Sequence, residues 1–188
     1  MQQELLDYFI EQLESGDYTD LELMENLINK ALGMNSNSVI ALRAASEIVR
    51  ESTPSGFGWS YEAGSKFFYG NHTNAEFDDS GFGDLADTGT PNQIAHTIGI
   101  AYIAAFQERD GLGFLTGLLV WGNEFGKEQS PKQSNIDRDL GYIAADLGNA
   151  LVTNKSEAAS NAVSQIETYN YAERHTPWWQ KVKWPWSK

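Results

Sequence analysis

No cysteine occurs in the 188 residues, which excludes a disulfide framework, a thiol nucleophile and a Cys-ligated zinc or iron–sulfur centre. Cations are scarce as well: 13 Lys and Arg stand against 26 Asp and Glu, a net charge of −13. A folded surface this poor in positive charge repels a phosphate backbone, so nucleic acid is not an expected partner. The chain has no Gly-x-Ser-x-Gly, no phosphate-binding glycine loop, no dinucleotide fingerprint and no His-Glu-x-x-His, so the familiar enzyme classes have no direct support and no cofactor is implied. No apolar run reaches the ~20 residues that a membrane-spanning helix needs, and no repeat of solenoid period is present. Residues 1–15 read as an amphipathic helix rather than a charged-then-apolar leader. The expectation is cytoplasmic synthesis, with export by a non-classical route or a peripheral place on a membrane left open.

What is present reads as one globular domain with a short appendix. A hydrophobic fraction of 41% with 12% aromatics supplies a core. Leu5, Leu6, Phe9, Ile10 and Leu13 recur at helical spacing. Thr19 followed by Glu22 is a capping-box signature ahead of Leu21, Met24, Leu27, Ile28 and Leu32. Ser38 to Arg50 gives a third amphipathic stripe. Residues 56–91 change character, with many glycines and aromatics and with Asp78, Asp79, Asp84 and Asp87. Those aspartates do not follow the calcium-loop spacing. Ile94 to Phe106 and Leu112 to Trp121 form the most apolar part and predict two buried helices in a hairpin, with Gly113 and Gly117 as close-approach positions. A helix is expected from about Asp137 to Val152, capped by Ser134 or Asn135, and a last one from Ser156 to Arg174. The expected fold is all-α, an orthogonal helical bundle around two buried apolar helices with a long Gly/Asp/aromatic loop. Residues 1–55 would form its helical N-terminal part, 56–91 the loop, 92–173 the core helices and 174–188 a Trp/Lys-rich tail.

Three groups of side chains can carry chemistry. Asn92, Gln93 and His96 share one face at the start of the central helix, since positions three and four apart align. They either line a substrate site with His96 as general base or ligand, or serve as a cap, a solvated side chain and a core histidine. Glu124, after the second apolar run, is either a catalytic carboxylate or part of a solvated face. Asp139, Tyr142, Asp146 and Asn149 make a polar stripe, while Gly141, Ala145 and Gly148 make a small-residue strip that lets a neighbour press close. If the stripe faces His96, imidazole and carboxylate form a general acid–base pair; if it faces water, it serves solubility. Asp139 and Asp146 are then the catalytic candidates beside His96 and Glu124, with Asn92, Gln93 and Asn149 binding substrate. None of these residues is assigned a metal.

The order Asn92-Gln93-x-x-His96, Glu124, then Asp139 with Gly141 and Gly148 resembles the helical C-terminal toxin and effector domains of bacterial polymorphic toxin systems. The resemblance covers about residues 81–152. It implies an effector-like helical domain, hydrolytic if it is an enzyme, with a His/Glu/Asp site between central helices.

The alternative expectation rests on the tail. Residues 174–188 hold Arg174, Lys181, Lys183 and Lys188 and no acid, so residues 1–173 carry 26 acids against 9 bases, a net −17. Trp178, Trp179, Trp184 and Trp186 stand among the lysines Lys181, Lys183 and Lys188. Indoles favour the boundary between water and hydrocarbon, and lysines favour anionic surfaces. A non-catalytic interaction protein that contacts a membrane or a protein partner through this tail is the second reading, and electrostatic fold-back onto the acidic body is the third way to place it.

Overall fold

The computed structural model describes residues 2–49, 93–113, 117, 120, 131–153 and 157–176. Seven helices and no strand occur among them: α1 (Gln2–Ser15), α2 (Asp20–Met34), α3 (Ser38–Val49), α4 (Gln93–Arg109), α5 (Pro131–Val152), α6 (Ala158–Glu167) and α7 (Tyr171–His175). The fold is all-α. The loop expected at 56–91 and most of the second apolar run lie outside the described residues.

Local chemistry sets several of the helix ends. Thr19 and Glu22 form the capping box: the Glu22 N–H donates to Thr19 Oγ1 at 3.3 Å and the Thr19 N–H to Glu22 Oε2 at 2.8 Å. Asn37 Oδ1 accepts from the N–H groups of Val39 and Ile40 at 3.1 and 3.3 Å, opening α3. Helix α4 closes on Gly111, whose φ of +74° suits glycine. There the Leu112 N–H reaches Gln107 O at 2.7 Å and the Gly111 N–H reaches Glu108 O at 3.0 Å. Helix α5 begins at Pro131, well before Asp137, because proline lacks the N–H that a first turn leaves unpaired. Ser134 and Asn135 therefore sit inside the helix instead of capping it. The last expected helix is two: Asn170 Oδ1 takes the Glu173 N–H at 2.9 Å and starts α7 afresh.

One core cluster runs from Leu5 and Phe9 in α1 through Met24, Leu27 and Leu42 to Ile98, Leu147 and Ile166. Helix α4 packs between α3 and α5, and α6 rests on α5 and α2. Ser38 Oγ ties the start of α3 to the Leu151 carbonyl near the end of α5 at 2.8 Å.

Among the described elements the α4–α5 contact is the most extensive, and the small-residue strip brings the two backbones close. A Cβ at Gly148 would overlap the Ala101 carbonyl, and one at Gly141 would meet Val120 Cγ1 at 2.8 Å and Ile100 Cδ1 at 3.4 Å. Gly117 is different, with open space where its Cβ would be, and a Cβ at Gly113 would meet the Glu108 side chain of its own stretch, not a neighbouring helix; the close-approach role belongs to Gly141 and Gly148. His96 faces Asp137, Ile100 faces Gly141, and Ala101 faces Gly148. Residue numbers rise together across the interface, so α4 and α5 run in the same direction. Val120, 2% exposed, belongs to the stretch that joins them and packs with Ala104 and Ala145.

Candidate functional site

His96 lies in the first turns of α4, within the α4–α5 interface. Its Nε2 is 3.2 Å from Asp137 Oδ1, with side chains 7% and 0% exposed. When the imidazole is protonated this is a buried ion pair, although Nε2 and the carboxylate are not aligned as a hydrogen bond. A carboxylate beside a histidine is the pairing from which general bases are built. It is equally a way of placing two opposite charges together inside a helix interface.

The residue that meets His96 was not among the candidate acids, and helix geometry explains why. Successive residues turn by about 100°, so Asp137 and Asp139 point about 200° apart on α5. Asp137, Gly141, Ala144 and Gly148 share one face, the one pressed on α4. Asp139 and Asp146 share the opposite one. The small-residue strip was the available signal: extended back by one turn, it ends on Asp137.

Asp139 faces α7 and the segment before it. Its Oδ2 accepts from Tyr169 OH at 2.7 Å, sits 2.7 Å from His175 Nε2 and lies 3.9 Å from an Arg174 guanidinium nitrogen. The His175 ring stacks on Tyr171, with centroids 4.6 Å apart. Arg174 lies over the Tyr169 ring at 5.5 Å, and Lys132 Nζ lies over the Tyr171 ring at 5.7 Å. Asn135 Nδ2 adds a long hydrogen bond to Tyr171 OH at 3.4 Å. Burial first, and then the bond to Asp139, push the Tyr169 hydroxyl well above the usual phenol range. A groove of about 490 Å³ adjoins this corner, lined by Tyr169, Asn170, Arg174, Gln165 and Ile143 among others.

Asp146 and Asn149 are brought together in a second groove, of about 460 Å³, with Glu108, Asn161 and Gln165. Asn149 Oδ1 is buried there without a hydrogen-bond partner. Gln93 is 3% exposed. Asn92, Glu124 and the tail residues Trp178, Trp179, Lys181, Lys183, Trp184 and Trp186 lie outside the described residues. The candidates thus divide among three places: His96 with Asp137 in the interface, Asp139 at the α7 corner, and Asp146 with Asn149 in the groove beside α6. Among the described residues no group of three or more His, Asp or Glu is placed to hold a metal, and no helix is long and apolar enough to cross a membrane. No family model matches the sequence, and neither a curated protein nor a solved structure is similar to it.

Proposed function

We propose that the chain is an interaction protein that meets its target through the Trp/Lys segment after α7. The observation that carries this reading is the way α7 is fastened. Asp139 holds Tyr169 and His175 at 2.7 Å each, fixing the chain within two residues of Pro177, where the tryptophans and lysines begin. A segment bound for its own target gains affinity when its root is held, because less conformational freedom is lost on docking. The same contacts occupy Asp139, one of the acids that a hydrolytic site around His96 would have recruited. The test uses the full chain and its Trp178→Ala/Trp179→Ala/Trp184→Ala/Trp186→Ala variant, compared for association with isolated membranes and with a soluble extract. Loss of association in the variant is expected; equal association of both proteins removes the reading.

One observation favours a second reading, an effector-like hydrolytic domain with His96 as general base: the 3.2 Å approach of the Asp137 carboxylate to the imidazole. In that reading Glu124 supplies a further carboxylate from the stretch between α4 and α5. His96→Ala separates the two. A loss of about 2 kcal/mol or more in urea unfolding marks a structural histidine, whereas unchanged stability directs attention to hydrolytic substrates.

A further inference from the structure

We infer that the α5–α7 corner is the second half of the contact surface, and that the surface it fits is an anionic lipid membrane. The inference rests on the reading of the tail as the contact segment and goes beyond it, because it adds folded residues and names the target's chemistry. Two cations of an otherwise acidic body flank this corner, Lys132 on α5 and Arg174 on α7, and the half-buried Arg138 on α5 bonds Asn135 beside them. Lys132 is exposed and Arg174 has 49% of its side chain exposed. Both lie over tyrosine rings, Tyr171 and Tyr169. Of the nearby carboxylates, Glu173 is exposed and Asp139 is turned onto Tyr169, His175 and Arg174, with 13% of its side chain exposed. Cations beside aromatic rings suit a surface that has charge outside and hydrocarbon just beneath.

The sequence that follows repeats this chemistry. Residues 177–188 alternate four tryptophans with three lysines and contain no acid. Twelve residues reach up to about 40 Å when extended, enough for the segment and the corner to touch one plane. A protein pocket would need one defined shape, whereas a lipid interface accepts every indole at the same depth. The electrostatics are local: charges more than about 8 Å from the surface are screened at physiological salt. Contact through corner and tail therefore proceeds although residues 1–173 carry a net −17, from 9 bases and 26 acids. Fold-back of the tail onto the corner is opposed by like charge, since Lys132 and Arg174 would meet Lys181, Lys183 and Lys188.

The experiment is co-sedimentation of the full chain with vesicles of phosphatidylcholine alone and with phosphatidylserine added, with tryptophan emission followed in parallel. Lys132→Gln/Arg174→Gln is compared with a charge-matched control, Lys30→Gln/Arg109→Gln, and circular dichroism confirms that each retains its helices. Each cation near an anionic membrane strengthens binding about fivefold. The corner variant is therefore expected to bind anionic vesicles about 25-fold more weakly than the parent, with the control within about twofold. Equal binding to both vesicle types overturns the inference. So does a corner variant that binds like the parent while the four-tryptophan variant does not, an outcome that leaves the tail as the contact segment. No binding to either vesicle, with emission unchanged, overturns the lipid assignment and leaves the soluble-extract comparison to decide the tail's role. Tail emission, taken as the full chain minus the four-tryptophan variant to remove Trp59 and Trp121, that is already blue-shifted without lipid and reddens in high salt identifies fold-back, and overturns it as well.

Discussion

Asp137 and Asp139 are two residues apart and do different work, and the difference is testable one side chain at a time. Removing one member of a buried polar pair leaves the other uncompensated. Asp137→Ala is expected to cost about 3 kcal/mol or more in urea unfolding. Asp137→Ala together with His96→Leu should cost less than the two single changes combined, because the orphaned group is gone from the double variant; strict additivity would show that the 3.2 Å contact contributes nothing. Tyr169 gives a pH signature instead. Its hydroxyl is raised in the folded state by burial and by Asp139, so its contribution to stability is complete below the ordinary phenol value of about 10 and fades as pH climbs above it. The parent should lose stability on that alkaline side. Tyr169→Phe should give up about 1 kcal/mol at neutral pH and show a flatter alkaline profile; an identical profile for both proteins rejects the account.

Among the elements, α4 and α5 owe their close approach to two glycines, and the glycines of this fold are not equivalent. Gly148→Ala places a methyl group against the Ala101 carbonyl, a backbone atom that cannot step aside. The expected cost is about 2 kcal/mol or more, read as a lowered urea midpoint at constant slope. Gly33→Ala is the contrasting case, in an exposed turn of α2 with open space around its Cβ position. It should stabilise the protein by about 0.5 kcal/mol. If both substitutions destabilise alike, close packing is not what distinguishes them. The helix ends show what was readable locally. Thr19 with Glu22 announces α2, since a capping box depends on residues three apart. The break between α6 and α7 was not readable, because the polar run from Ser156 to Arg174 is compatible with one helix. It is Asn170 capping from within, and Tyr169 reaching across to Asp139, that divide it.

For the molecule as a whole, a single core cluster joins α1 to α6. The N-terminal helices share that core, with α3 packed on α4 and α2 on α6. Unfolding followed by far-ultraviolet circular dichroism and by the near-ultraviolet signal of buried rings such as Tyr102 should therefore coincide. An early phase that removes only part of the helix signal would show α1–α3 to be a separable unit.

The sequence by itself determined the helical class, the capped start of α2, the buried character of α4, the small-residue face of α5 and the separation of charge between body and tail. Each of these depends on residues a few positions apart, so spacing and composition suffice. Which carboxylate meets His96, where Asp139 turns and that α4 and α5 run in the same direction were decided by the tertiary structure. Those depend on how a helix is rotated about its own axis once its apolar and small side chains find partners. On a helix with acids at 137, 139 and 146, a rotation of half a turn exchanges the one that is buried for the two that are not.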